Sequence, residues 1–150
     1  MAVGRILGLD YGTVRIGVAI SDGLGISARP VRAVPADQFE DLVEGLVEEL
    51  GPTSIVVGLP TSLAGEEGAS AAGARKLAEV VAARTGLEVV LADERFSSTR
   101  AEAILKDKVR DRRERREQVD ALAAAVLLQG WLDARAGEAR GNPRYAPKPD

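Results

Sequence analysis

The first apolar runs of the chain are short and closely spaced. "RILGLD" (Arg5 to Asp10) and "RIGVAIS" (Arg15 to Ser21) have the length and the Ile/Val/Leu content of strands, and the four residues between them suit a hairpin turn. "GISARPVRAV" (Gly25 to Val34) offers a third strand. Pro30 within it argues for an edge or a bulge, because proline lacks the N–H that a central ladder needs. Three such strands joined by short turns predict an antiparallel meander.

The period then changes. Phe39, Leu42, Val43, Leu46, Val47 and Leu50 recur at helical spacing and form one apolar stripe. Asp37 stands where an N-cap belongs, and Gly51-Pro52 stops the helix. "TSIVVGLP" (Thr53 to Pro60) reads as a compact buried strand and "TSLAGEEG" (Thr61 to Gly68) as a loop. A second helix is expected over Ser70 to Gly86, a fifth strand over Leu87 to Arg95 and a third helix over Ser97 to Lys108. Glu117 to Ala136 makes a final helix.

Helical crossovers favour parallel neighbours for the later strands, and right-handed crossovers put helices on both faces. The order therefore predicts an α/β fold of the ribonuclease H-like kind, a mixed five-stranded sheet with helices on both faces. One domain is expected over 1–136, followed by a Gly/Pro-rich, flexible tail over 137–150.

Composition changes this picture by subtraction. The 150 residues include no cysteine and no histidine. That removes disulfides, thiol chemistry, Ser-His-Asp catalysis and zinc sites built on imidazole or thiolate. A metal centre here would use oxygen ligands, which suit magnesium, manganese or calcium. No run reaches the roughly 18 apolar residues of a membrane span, and no secretory leader is visible at the N-terminus. A cytoplasmic protein without membrane attachment is the expectation.

Charge is unevenly placed. "KDKVRDRRERR" (Lys106 to Arg116) has seven basic and three acidic residues, which leaves −7 on the rest of a chain of net charge −3. A basic island on an acidic body suits a phosphate-tracking surface. A solvated, salt-bridged helix face fits the same residues.

Three acids stand in places that ask for a reason. Asp10 ends the first strand, where sheets of this kind present side chains to ligands, although it could equally cap the Tyr-Gly turn. Glu94 follows "VVLAD"; it and Asp93 have opposite strand parity, and the longer Glu94 reaches further past the strand end. Both could also be turn and cap groups. Asp120 sits in "VDALAAAVLL", where a buried carboxylate needs a partner or a metal. Ala121, Ala123, Ala124 and Ala125 around it would let the helix approach the sheet. A position near a helix start would instead place Asp120 in the helix dipole. Together the three could converge on one divalent-metal site. Two metal ions roughly 3.5–4 Å apart, clamped by carboxylates, can activate water and stabilise the leaving oxygen in phosphodiester cleavage.

Four segments in order, "GLDYGTVRIGVAISD", "IVVGLP", "DERFSST" and "VDALAAAVLLQGWL", resemble the YqgF family, also called RuvX. Its members resemble Holliday-junction resolvases and are regarded as pre-16S rRNA nucleases with a ribonuclease H-like fold. The resemblance covers about Ile6 to Leu132. It implies catalytic, metal-binding acids at Asp10, Glu94 and Asp120, with Mg²⁺ or Mn²⁺ as cofactor. It also implies backbone or phosphate contacts at Gly12, Thr13 and Arg15. Val14 departs from the lysine or arginine common there. Ser97, Ser98 and Thr99 open a helix and serve as caps or as a phosphate seat. Within the basic island, Lys108, Arg110, Arg112, Arg113 and Arg116 are the nucleic-acid contacts expected.

The resemblance implies a metal-dependent nuclease in pre-16S rRNA 5′-end processing, acting on RNA ahead of DNA and on ribosomal precursor particles. A Holliday-junction resolvase or a single-strand nuclease in DNA repair is the alternative, and so is a non-catalytic RNA-binding assembly factor. "GLDYGT" also resembles the first phosphate loop of sugar kinases and actin-like ATPases. Those enzymes need a second such loop and an adenosine site, for which one domain has no room. Trp131 and Tyr145 could stack on bases, but Trp131 on a terminal helix fits a core role better. The motifs leave monomer or homodimer open.

Overall fold

Five strands form one mixed sheet in the order β3-β2-β1-β4-β5. The computed structural model describes residues 4–59, 69–93 and 112–139. Within them, β1 is Arg5–Asp10, β2 Arg15–Ser21, β3 Ala28–Pro35, β4 Pro52–Leu59 and β5 Glu88–Asp93. Helix α1 spans Phe39–Leu50, α2 Ala69–Thr85 and α3 Arg112–Ala139. The pairs β1–β2 and β2–β3 are antiparallel, whereas β1–β4 and β4–β5 are parallel. The expected meander and crossovers are therefore both present.

Strand alternation divides the core into two layers. Leu7, Leu9, Ile16, Val18, Ile20, Ile55 and Val57 face α1 and α2, where they meet Phe39, Val43, Leu46, Ala74 and Val81. Ile6, Ala19, Val56 and Ala92 face the other way, against Ala124, Leu127, Leu128 and Leu132 of α3. Each fully buried leucine in these layers contributes roughly 1.5–3 kcal/mol relative to an exposed one. Helices thus cover both faces of the sheet.

Several local expectations are refined. Helix α1 begins at Phe39 after a 3₁₀ turn over Ala36–Gln38, and its N-cap is Gln38 without a side-chain cap bond. Asp37 lies inside that preceding turn, so it is not the cap. Gly51 does end the helix, in the left-handed conformation at φ 63°, with its N–H donating to the Val47 carbonyl. Leu42 is the one stripe residue left exposed. Pro30 lies on the edge strand and beside the irregularity where Val18 pairs with Arg32 and Ala19 with Pro30. Helix α3 exceeds the expected Glu117 to Ala136 at both ends, by five residues before and three after. The loop from Thr61 to Gly68, the helix expected over Ser97 to Lys108 and Tyr145 lie outside the described residues.

Helix α3 is clasped to the β2–β3 loop as well as packed. Gln129 accepts from the Ala28 N–H at 2.8 Å and donates to the Ile26 carbonyl at 2.9 Å. Trp131 packs half-buried against the α3 layer, with the Arg135 guanidinium 5.2 Å from the ring centroid. Among the described residues, no helix is long and apolar enough to cross a membrane.

Candidate active site

At the carboxyl-terminal end of β1, α3 packs directly against the sheet backbone. Asp10 has the parity of Ile6 and Gly8, both on the α3 side: Ile6 belongs to that layer, and a Cβ on Gly8 would lie 2.9 Å from Leu128 Cβ. In the sheet Asp10 is paired with Gly17 of β2 on one side and with Gly58 of β4 on the other. Both glycines matter to the helix. A Cβ on Gly58 would collide with the Leu127 side chain, and one on Gly17 would overlap the Asp120 carbonyl oxygen and lie 2.6 Å from its carbon.

That contact fixes where Asp120 sits. Its backbone rests on β2 at the residue directly opposite Asp10, and paired antiparallel residues have Cα atoms only about 4.5–5.5 Å apart. A strand end and a helix, 110 residues apart in sequence, therefore meet at one place. The alanines after Asp120 make this possible, since Ala121, Ala124 and Ala125 are buried and present little bulk to the sheet.

Asp120 is not surrounded by apolar groups alone. Arg15, on the same face of β2, donates from Nε to Asp120 Oδ2 at 2.7 Å. Both side chains keep about 30% of their surface in solvent (29% and 30%). This is a charge-assisted bond in a half-buried setting, and it satisfies the carboxylate that the sequence left without a partner. Arg15 was expected as a phosphate contact; in the structure its guanidinium is paired with Asp120.

The turn between β1 and β2 supplies the rim. Gly12 is required sterically, because a Cβ there would overlap the Arg15 carbonyl oxygen. Thr13 and Val14 are exposed, and the Val14 carbonyl accepts from the Ala36 N–H at 2.9 Å, which ties the turn to the end of β3. Tyr11 turns away to the opposite layer, where its ring covers Gly73 of α2.

The structure thus brings Asp10, Gly12, Thr13, Arg15 and Asp120 to one end of the sheet. Glu94, Lys108 and Arg110 lie outside the described residues. Arg112, Arg113 and Arg116 stand on the first two turns of α3, on the helix that leads into Asp120. Among the described residues, no three acidic, histidine or cysteine side chains gather into a metal-binding group. Asp10 and Asp120 supply two carboxylates on one face, an all-oxygen set of the kind hard divalent cations accept. Gly17 was not singled out from the sequence. Its signal was available, because an isolated glycine inside a strand marks a close backbone approach.

The profile of the RuvX family, described as Holliday junction resolvase, matches residues 4–134. A Lactococcus lactis subsp. cremoris (strain MG1363) protein named "Putative pre-16S rRNA nuclease" is 40% identical over 137 residues, covering 88% of this chain and 96% of its own. A protein of the same name from Anaeromyxobacter sp. (strain Fw109-5) is 47% identical over 134 residues, covering 87% and 98%. Among solved structures, T. thermophilus RuvC in complex with a Holliday junction superposes with a TM-score of 0.58 at 18% identity, covering 89% of this chain and 96% of that one. The yeast mitochondrial Holliday junction resolvase gives 0.59 at 13% identity, covering 96% and 84%. These two likenesses establish the ribonuclease H-like fold.

Proposed function

The chain belongs to the RuvX family and is a nuclease; from that premise we propose a divalent-metal-dependent hydrolysis of RNA, in pre-16S rRNA 5′-end processing. What supports the metal-dependent chemistry is the meeting of Asp10 with Asp120 across Gly17. Two carboxylates at one sheet end form an oxygen-donor set of the kind a hard divalent cation accepts. Asp10, Asp120 and Glu94 are the residues that would hold Mg²⁺ or Mn²⁺. The bound ion would supply an activated water and charge stabilisation for the leaving oxygen.

The chain's own residues do the rest. Gly17 and the alanines of α3 set the approach of the two acids. Gly12 and Thr13 form the rim at which a phosphate backbone would lie. Lys108, Arg110, Arg112, Arg113 and Arg116 would follow that backbone away from the site, in sequence-independent contacts. RNA is favoured as substrate because the curated relatives carry an rRNA-processing name, and ribosomal precursor particles in the cytoplasm would be its setting.

The experiment is a panel of end-labelled RNA and DNA substrates, with a pre-16S rRNA 5′ leader and a four-way DNA junction among them. Cleavage of the leader that needs Mn²⁺ or Mg²⁺ and is lost in Asp10→Asn is the expected result. Cleavage confined to the junction would move the substrate assignment to DNA. Cleavage that persists in EDTA would remove the metal.

A further inference from the structure

The Arg15–Asp120 pair gives one carboxylate two cationic suitors. In the structure Asp120 Oδ2 is held by Arg15 Nε at 2.7 Å. In the reading above, on which this inference rests, the same carboxylate faces a divalent ion. A guanidinium and a dication in contact with one carboxylate repel each other, most strongly where protein displaces part of the solvent, as it does around these two side chains. Arg15 in turn has five N–H donors arranged for planar oxyanions, and phosphate suits them as well as carboxylate does. It stands at the first residue of β2, directly after the exposed Thr13 and Val14.

We propose that Arg15 is an exchange residue: it neutralises Asp120 while no metal is bound, and passes to a nucleic-acid phosphate when the metal takes Asp120. Two carboxylates and one guanidinium then never meet without compensation. Before loading, the arginine offsets the charge of Asp120. After loading, the metal does so and the arginine serves the substrate. Arg15 is thus a positioning residue whose partner changes with the state of the site. A permanent support would behave differently, since removing an outer-shell partner that orients a metal ligand typically weakens metal binding 10- to 100-fold.

Two readouts that do not involve cleavage test the exchange. The first is Mn²⁺ affinity, measured by electron paramagnetic resonance on wild type, Arg15→Met and Arg15→Lys without nucleic acid. Exchange predicts that Arg15→Met binds Mn²⁺ several-fold more tightly, with Arg15→Lys between it and wild type. Weaker Mn²⁺ binding in Arg15→Met would overturn the exchange and make Arg15 a fixed orienter.

The second is the affinity for a labelled single-stranded RNA in EDTA, measured by fluorescence anisotropy on wild type, Asp120→Asn, Arg15→Met and the double variant. Releasing Arg15 by Asp120→Asn should tighten binding about tenfold, as one new charge-assisted contact does. It should also steepen the salt dependence by about one phosphate contact, near 0.7 in log–log slope. In the Arg15→Met background the same change should give less than about a twofold gain. An equal gain in both backgrounds would mean that only the lost negative charge matters, and would overturn the exchange while leaving the nuclease reading intact. No RNA binding by any of the four proteins would overturn the exchange and the assignment of RNA as substrate. Matching thermal unfolding of the four proteins shows that the comparison is made on folded chains.

Discussion

The carbonyl oxygen of Asp120 occupies the space where a side chain on Gly17 would begin. Gly17 is the sheet neighbour of Asp10, so this one backbone contact brings a helical acid to a strand-end acid. It also explains why alanines and a glycine face each other here: any bulk on either side would lift α3 and separate the two carboxylates.

Gly17→Ala tests that seam. The obstructing atom is backbone, so α3 must shift, and destabilisation of about 3 kcal/mol is expected, at the upper end for overpacked sites. For a domain of this size that lowers Tm by roughly 10 °C. Differential scanning calorimetry measures it. A variant as stable as wild type would show that α3 moves freely against β2.

The basic turn of α3 should act through charge. Arg112→Gln and Arg113→Gln should each flatten the log–log dependence of RNA affinity on salt by about 0.7, the contribution of one phosphate contact on a single strand. Anisotropy titrations at several salt concentrations give the slope. Slopes equal to wild type in both variants would take the basic stretch out of the interface.

Much of this architecture is legible in the residues. The strand lengths, the stripe from Phe39 to Leu50 and the Gly51 stop all follow local rules, because each depends on neighbours a few positions away. Asp37 misleads because the chain enters α1 through a 3₁₀ turn, which moves the cap to Gln38. Leu42 misleads because a stripe of six is wider than the face that α1 buries. The acids at Asp10 and Asp120 announce themselves as carboxylates in apolar surroundings. The pairing of Arg15 with Asp120 does not, since it spans 105 residues and no local pattern encodes it. Gly8, Gly17 and Gly58 each hint at a close approach, but singly they do not say what approaches. Only the register, which stacks all three beneath α3, shows them to be one surface.

Asp22 carries a pH signature away from the site. The Ile26 N–H, 2.7 Å from Oδ1, holds its carboxyl below the ordinary value of 3.8, with the Ser27 N–H adding at 3.2 Å. A lowered folded-state pKa stabilises above the unfolded value and ceases to do so as pH falls through the folded one. Asp22→Ala should therefore be less stable than wild type at neutral pH, and the gap should close as pH drops below 3.8. Urea unfolding across a pH series follows it. A gap independent of pH would show that the loop is ordered without the carboxylate.

The central claim is that Asp10 and Asp120 share one divalent ion, and direct Mn²⁺ titration tests it with the least interposed. Wild type should bind Mn²⁺ saturably, and Asp10→Asn and Asp120→Asn should each weaken that binding at least about tenfold, as loss of one charged oxygen ligand requires. Mn²⁺ binding left unchanged by both substitutions would contradict the claim.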